Sequence, residues 1–258
     1  MTKKISIINA LLFFSVFLLS NIAQAQVKKT STTKATTHGK TSSTKKIPAK
    51  ASVIKAKPTL HATSDGYRVK LITDSGTMVI RLYDSTPLHR DNFIKLVKQG
   101  FYDSLMFHRV IPSFMIQGGD PVSKSAAPGM QLGNGGDDMT RIPAEFRSSL
   151  YHKKGVLAAA RDDNPEKASS ACQFYIVDGK TFTDDQLNNL ELSKRIKYTE
   201  AQRNMYKTIG GTPHLDMAYT VFGEVESGME VIEKISHAAK DNNNRPLTDI
   251  RMRIEMLK

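Results

Sequence analysis

Residues 107–120 read FHRVIPSFMIQGGD, and no other stretch of the chain is as informative. Arg109, which stays charged at physiological pH, stands a few residues ahead of the apolar pair Phe114 and Met115. Side chains alternate along a strand, so Gln117 falls on the same face as Met115. Two glycines follow, and a backbone without side chains lets another molecule approach closely. The mixture predicts one wall of a binding site; a buried strand that begins with a surface arginine is the alternative.

The first 25 residues have the composition of a secretory signal peptide. Lysines at positions 3 and 4 precede an apolar run at 5–19, and Ala-Gln-Ala at 23–25 is a small-x-small cleavage site. We therefore expect cleavage after Ala25 and export to the periplasm, with no stable membrane insertion afterwards. An uncleaved membrane anchor is the alternative, although the apolar run is short for a span.

Residues 26–60 are rich in Lys, Thr, Ser and Ala and contain no acidic residue. So few apolar side chains cannot offset the entropy of ordering the chain, and we expect a disordered basic linker. Attachment to an anionic surface is the alternative interpretation. The first 60 residues hold 11 lysines, which leaves 26 Lys and Arg against 25 Asp and Glu in residues 61–258. That balance gives no reason to expect a nucleic-acid-binding face.

Residues 61–258 have the length of one domain and are predicted to be mainly strands. Alternation and turn signals predict strands at 67–73, 77–83, 105–110, 114–117, 155–160, 173–177, 218–225 and 250–256. A helix is predicted from Pro87 to Gly100, and a last helix is predicted to be capped by Ser227 with Glu230. Between these two helices, capping boxes at Thr183 and Thr199 predict one or two more. This order lacks regular βαβ alternation, so it predicts a closed antiparallel β-barrel whose ends two helices cover.

We expect no metal, no cofactor and no nucleophile. The seven histidines are scattered without metal-ligand spacing, and the single cysteine, Cys172, has no partner for a disulfide or a zinc site. Cys172 is predicted to be a buried thiol. The glycine-rich span 129–137 lacks the Gly-Lys-Ser/Thr ending of a phosphate-binding loop, so we predict a plain surface loop there.

Six blocks of sequence, in this order, resemble the signature of the cyclophilin family of peptidyl-prolyl cis-trans isomerases. They are FHR at 107–109, FMIQGGD at 114–120, IPAEF at 142–146, GVLA at 155–158, SACQFYI at 170–176 and VFG at 221–223. The resemblance runs from Tyr67 to the C-terminus, apart from a helical insertion at about 179–211. Ala-Arg-Asp at 160–162 resembles bacterial members. The resemblance implies an exported bacterial cyclophilin, with a closed eight-stranded antiparallel barrel capped by two helices.

The family's reaction is rotation about an X-Pro peptide bond, which amide resonance opposes with a barrier of ~20 kcal/mol. Halfway round, the nitrogen loses conjugation and becomes a better hydrogen-bond acceptor. A donor that meets the nitrogen only then lowers the barrier, and each ~1.4 kcal/mol is a tenfold rate. Arginine suits this role because it stays protonated and its planar fork can also hold a carbonyl. The reaction requires no cofactor and no proton transfer.

The resemblance implies roles for eleven residues. Two would act in catalysis: Arg109 as the donor, and Gln117 beside it. The others would form the apolar proline pocket, orient the peptide, or pair through their backbone with the residues before proline: Phe114, Met115, Ala160, Arg161, Gln173, Tyr175, His214, Leu215 and Tyr219. Ala160 and Arg161 would supply the backbone contacts. Phe174 is expected in the core and His108 is expected to be structural.

The partners implied are proline-containing segments of unfolded or folding proteins, bound by a monomer. Two other functions are compatible with the sequence. A binding module on the same fold would hold prolyl peptides without turning them over, and would tolerate loss of Arg109. An interaction protein attached to the envelope would depend on residues 26–60 instead.

Overall fold

The computed structural model describes residues 66–257. The predicted signal peptide at 1–25 and the predicted linker at 26–60 lie outside these residues. Within 66–257, no helix combines the length and the apolar character needed to cross a membrane.

Eight strands and four α-helices make up the described domain. In chain order they are β1 (Tyr67–Thr73), β2 (Gly76–Leu82), α1 (Pro87–Lys98), β3 (Phe107–Ile111), β4 (Met115–Gly118), β5 (Val156–Ala159), β6 (Phe174–Val177), α2 (Asp184–Lys194), α3 (Glu200–Thr208), β7 (Val221–Ser227), α4 (Met229–Ser236) and β8 (Met252–Met256). The predicted strands and helices are all present, with shifted ends. The last helix begins after Gly228, which has a positive φ, and not with the predicted side-chain cap from Ser227.

The strands form one antiparallel sheet in the order β3-β4-β6-β5-β7-β2-β1-β8. The predicted closed barrel is not reached, because no ladder joins the edge strands β3 and β8 in residues 66–257. A single bridge, Met106 with Arg251, connects the segments that precede them. An irregular segment lies along β3 instead, and Pro246 within it has no N–H with which to continue a ladder. The sheet is therefore a curled half-barrel.

The two faces of the sheet carry two separate apolar clusters. On β6, Phe174 and Ile176 face the main core, while Tyr175 and Val177 belong to a smaller cluster on the other face. The alternation follows from the pleat of the strand. Helices α1 and α4 pack on the main core, where Phe93 of α1 meets the Phe174 ring edge-on at 5.7 Å. The prediction that Phe174 is a core residue is confirmed, and the opposite face is left free for a site.

The helical insertion, residues 179–211, consists of α2 and α3. Capping boxes begin both helices: Thr183 accepts a hydrogen bond from the Gln186 N–H, and Thr199 does the same for Gln202. The insertion has a small core of its own, made of Leu187, Tyr198 and Tyr206 with partly buried apolar neighbours. This core includes buried tyrosines, whose hydroxyls must find partners.

Candidate active site

Arg109 and Gln117 face each other across the pairing of β3 with β4. The Arg109 Nη1 donates to the Gln117 Oε1 at 3.3 Å. Burial lowers the pKa of Arg109, but a guanidinium stays charged. None of the ion pairs found in residues 66–257 includes Arg109. The cation is therefore partly desolvated and available to a ligand.

A row of side-chain amides fixes the orientation of Gln117. Its Nε2 donates to the Gln173 Oε1 at 3.2 Å, and the Gln173 Nε2 donates to the carbonyls of Gly133 and Gly135, each at 2.9 Å. Because Gln173 must accept from Gln117, the oxygen of Gln117 is directed toward Arg109. The buried amide of Gln173 thus has the partners that its burial requires.

Beside the guanidinium lies a pocket of about 100 Å³ on the free face of the sheet. Nine of the eleven predicted site residues line it: Arg109, Phe114, Met115, Gln117, Ala160, Arg161, Tyr175, Leu215 and Tyr219. The Arg109 guanidinium is 5.8 Å from the centre of the Phe114 ring, and the Tyr175 and Tyr219 rings meet edge-on at 5.9 Å. The pocket offers a small apolar group a cavity with a fixed positive charge at its rim.

Gln173 and His214 are the two predicted site residues that do not line this pocket. Gln173 lines the adjoining cavity and holds Gln117, as described above. The His214 ring stacks on Phe114 at 5.6 Å, with 28° between the planes, so it supports a pocket wall. A direct contact of His214 with substrate stays a prediction.

The backbone groups of Ala160 and Arg161 differ in whether they are already hydrogen-bonded within the domain. The Ala160 N–H donates to the Gln173 carbonyl at 3.0 Å, and its own carbonyl accepts from Ser170 at 2.9 Å. The Arg161 N–H and C=O make no hydrogen bond within the described domain. Its side chain donates to the Ala218 carbonyl and lies 4.7 Å above the Tyr219 ring. Of the two predicted backbone contacts, Arg161 is therefore the one with free groups for an extended peptide.

A second cavity of about 220 Å³ adjoins the first and shares Gln117, Ala160 and Arg161 with it. Its far wall is the glycine-rich loop at 129–137, which lies at the surface as predicted and also lines this cavity. The Asp120 carboxylate accepts from the Gly133 N–H at 2.5 Å, and a Cβ at Gly135 would clash with the same carboxylate. Glycines are needed here because a side chain would prevent this close approach. A run of glycines can mark such a contact, and this was the sequence signal that could have indicated the cavity wall.

A buried polar network behind the pocket was also missed. His152 lies between the Tyr175 hydroxyl, 2.9 Å from its Nε2, and the Asp216 carboxylate, 2.8 Å from its Nδ1. The Tyr206 hydroxyl donates to the other oxygen of Asp216 at 2.5 Å. These residues lie far apart in the chain and follow no spacing that sequence reasoning could use.

Two further titratable groups near the site, Cys172 and His108, are buried, and burial favours their neutral forms. Burial raises the pKa of Cys172 to about 11, so its thiol stays protonated. Burial lowers the pKa of His108 to about 4, and both its ring nitrogens lack hydrogen-bond partners in the described domain. Across residues 66–257 no group of three or more His, Cys, Asp or Glu side chains is arranged to hold a metal.

The profile of the family described as cyclophilin type peptidyl-prolyl cis-trans isomerase/CLD matches residues 68–256. The chain belongs to the cyclophilin family. A Staphylococcus saprophyticus relative named for this isomerase activity is 32% identical over 198 residues, which cover 75% of this chain and 93% of the relative. A Staphylococcus haemolyticus relative of the same name is 31% identical over 184 residues, covering 71% and 87%. This cyclophilin is a peptidyl-prolyl cis-trans isomerase, EC 5.2.1.8.

Solved structures agree with the fold. A cyclophilin type isomerase of Cryptosporidium parvum superposes with a TM-score of 0.56 at 23% identity, over 74% of this cyclophilin and 98% of the other chain. A second structure of the same protein was determined in the presence of the dipeptide Ala-Pro, and superposes with a TM-score of 0.53 at 22% identity.

Proposed function

We propose that this isomerase accelerates X-Pro rotation by donating a hydrogen bond from Arg109 to the prolyl nitrogen in the twisted amide. The nitrogen becomes a good acceptor only when it loses conjugation, so the bond stabilises the transition state more than the planar substrate. The observation that carries the proposal is a guanidinium with no ion pair in the described domain, held by Gln117 at the rim of an apolar pocket.

The pocket supports a role for proline as the bound group. Phe114, Met115 and Tyr175 supply apolar walls for its ring, and the free N–H and C=O of Arg161 can pair with an extended peptide before it. We infer that the substrates are proline-containing peptide segments. The Cryptosporidium parvum relative solved in the presence of Ala-Pro supports the same class of ligand.

We also propose that the substrates are exported proteins. The support is the sequence of residues 1–25, with its basic start, its apolar run and its Ala-Gln-Ala site. Expression of the full chain in a bacterium followed by cell fractionation tests this proposal. A periplasmic product that begins at Gln26 by mass spectrometry is expected, and an intact, cytoplasmic product would contradict it.

The mechanism is tested with Arg109→Ala and Arg109→Lys, assayed by NMR exchange on a peptide that contains Ala-Pro. Arg109→Ala should lose two or more orders of magnitude in kcat/KM, as expected when a transition-state donor is removed. Arg109→Lys keeps the positive charge but lacks the planar guanidinium, so it should retain only part of the wild-type rate. Arg68→Ala, far from the pocket, is the matched control. An Arg109→Ala variant that binds and turns over peptide normally would refute the mechanism.

The same assay separates the other two functions. A binding module predicts that peptide affinity survives and that wild-type turnover is absent. An envelope-attached interaction protein predicts that deletion of residues 26–60 removes function while Arg109→Ala does not.

A further inference from the structure

The helical insertion does not supply any wall of the prolyl pocket, since no residue of α2 or α3 lines that cavity. It is nevertheless connected to the pocket by hydrogen bonds between buried groups. The connection starts at Tyr206 on α3, whose side chain is completely buried among the rings of Tyr151, Phe182 and Tyr198.

Asp216 is the centre of this connection. Its Oδ1 accepts from the His152 backbone N–H and faces the His152 Nδ1, each at 2.8 Å, and its Oδ2 accepts from the Tyr206 hydroxyl at 2.5 Å. Only 5% of Asp216 is exposed, so the carboxylate depends on these donors. Burial beside Asp216 raises the pKa of Tyr206, which keeps its hydroxyl protonated and able to donate.

His152 connects Asp216 to Tyr175 in the pocket wall. Because the Nδ1 carries the proton that Asp216 accepts, the Nε2 is the acceptor, and the Tyr175 hydroxyl donates to it at 2.9 Å. Burial raises the pKa of Tyr175, so this hydroxyl also keeps its proton. The two rings stack, with 6.1 Å between centres and 13° between planes. The orientation of the Tyr175 ring in the pocket is thus fixed from behind.

A second contact holds the opposite wall. The 3-10 turn Pro213–Leu215 carries Leu215, which lines the pocket. The Tyr198 hydroxyl donates to the Pro213 carbonyl at 3.0 Å, and the Lys194 Nζ donates to the Asp216 carbonyl at 3.2 Å. Donors from the insertion therefore hold both ends of the turn.

We propose that the helical insertion is a positioning element of the isomerase, and that Asp216 is the positioning residue through which it fixes Tyr175 and Leu215 in the prolyl pocket. The inference rests on the proposed function, because it takes this pocket as the place where proline binds. It predicts that a hydroxyl outside the pocket controls substrate affinity without touching the peptide.

The test compares Tyr206→Phe with Tyr151→Phe in the full chain. Both variants remove one hydroxyl from the same aromatic cluster, where the two rings are 5.5 Å apart, but the Tyr151 hydroxyl has no hydrogen-bond partner in the described domain. Tyr206→Phe should raise KM for an Ala-Pro peptide about tenfold, or ~1.4 kcal/mol, with kcat within about twofold because Arg109 is untouched. Tyr151→Phe should leave both constants unchanged.

A double-mutant cycle with Tyr175→Phe shows whether the two hydroxyls act through one path. Tyr175→Phe should raise KM to a similar extent, and adding Tyr206→Phe should raise it no further. If Tyr206→Phe does not fold, Tyr198→Phe replaces it and should raise KM through the turn. An unchanged KM in the folded variants, an equal rise in Tyr151→Phe, or additive effects in the cycle would overturn the inference. Failure of the proposed function is recognised separately, by normal turnover in Arg109→Ala.

Discussion

Gln117 on β4 donates a hydrogen bond at 3.2 Å to the Oε1 of Gln173, the residue just before β6, and this bond sets the direction in which Gln117 presents its oxygen to Arg109. Gln173 is anchored in turn on two loop carbonyls. The guanidinium at the pocket rim is therefore positioned by groups that do not touch it.

Gln173→Leu should lower kcat/KM by about tenfold to a hundredfold, because Gln117 loses its orienting partner. Two loop carbonyls also lose a donor, so the free energy of unfolding should fall by ~1–3 kcal/mol. Peptide exchange and chemical denaturation measure the two effects. Gln131→Leu is the matched control, since Gln131 is exposed and its side chain has no hydrogen bond in the described domain. An unaltered rate in a folded Gln173→Leu variant would exclude the orienting role.

Phe114→Ala should lower kcat/KM by about 30-fold, or ~2 kcal/mol, chiefly through KM. The change opens the pocket wall and removes the ring beside the Arg109 guanidinium. Phe146→Ala is the control, because Phe146 is a partly exposed ring near Lys167, outside the pocket. Steady-state turnover of a prolyl peptide measures both variants, and equal losses would contradict a specific role for Phe114.

His108 should make the protein sensitive to acid. Burial holds its pKa at about 4, below the ordinary value of about 6.5, so the unfolded chain binds a proton in this range before the folded one does. Neutral His108 therefore contributes on the order of 3 kcal/mol to the free energy of unfolding above pH ~6.5, and this contribution is lost as the pH falls toward ~4. Denaturation at a series of pH values should show a shallower loss for His108→Phe. A slope unaltered in His108→Phe would contradict the prediction.

Thr183→Ala should destabilise α2 by ~1 kcal/mol, since it removes the side chain that accepts from the Gln186 N–H. Hydrogen exchange of the α2 amides should speed up about fivefold, while the amides of β6 should not change. Thr208→Ala provides the comparison, because the Thr208 hydroxyl donates to the Asn204 carbonyl near the end of α3 and caps nothing. Equal hydrogen-exchange rates of the α2 amides in the two variants would argue against a stabilising cap from Thr183.

Local sequence signals predicted the strands and the capping boxes, and the family resemblance implied the residues that line the pocket. Phe174 and Tyr175 alternate between core and pocket as the pleat requires, and Thr183 and Gln186 cap α2 as their spacing indicates. These features depend on neighbours in the chain. The family resemblance added roles that residue patterns alone could not assign.

Contacts between segments that are distant in the chain could not be predicted from the sequence. Closure of the sheet depends on how the segment before β8 lies along β3, and the resemblance favoured a ladder where one bridge is found. The loop at 129–137 lines a cavity because its Gly133 N–H donates a hydrogen bond to the Asp120 carboxylate. Asp216 contacts His152 across 64 residues of chain, where no spacing rule applies.

The irregular segment along β3 has a consequence for an isomerase that binds peptide segments. The Val110 N–H donates to the Asn244 carbonyl and the Phe107 N–H to the Ile250 carbonyl, so the outer backbone of β3 is already engaged by a piece that contains Pro246. An uncovered, regular edge strand could pair with a strand of another chain and begin aggregation. Here the segment covers that edge and leaves the pocket face of the sheet open.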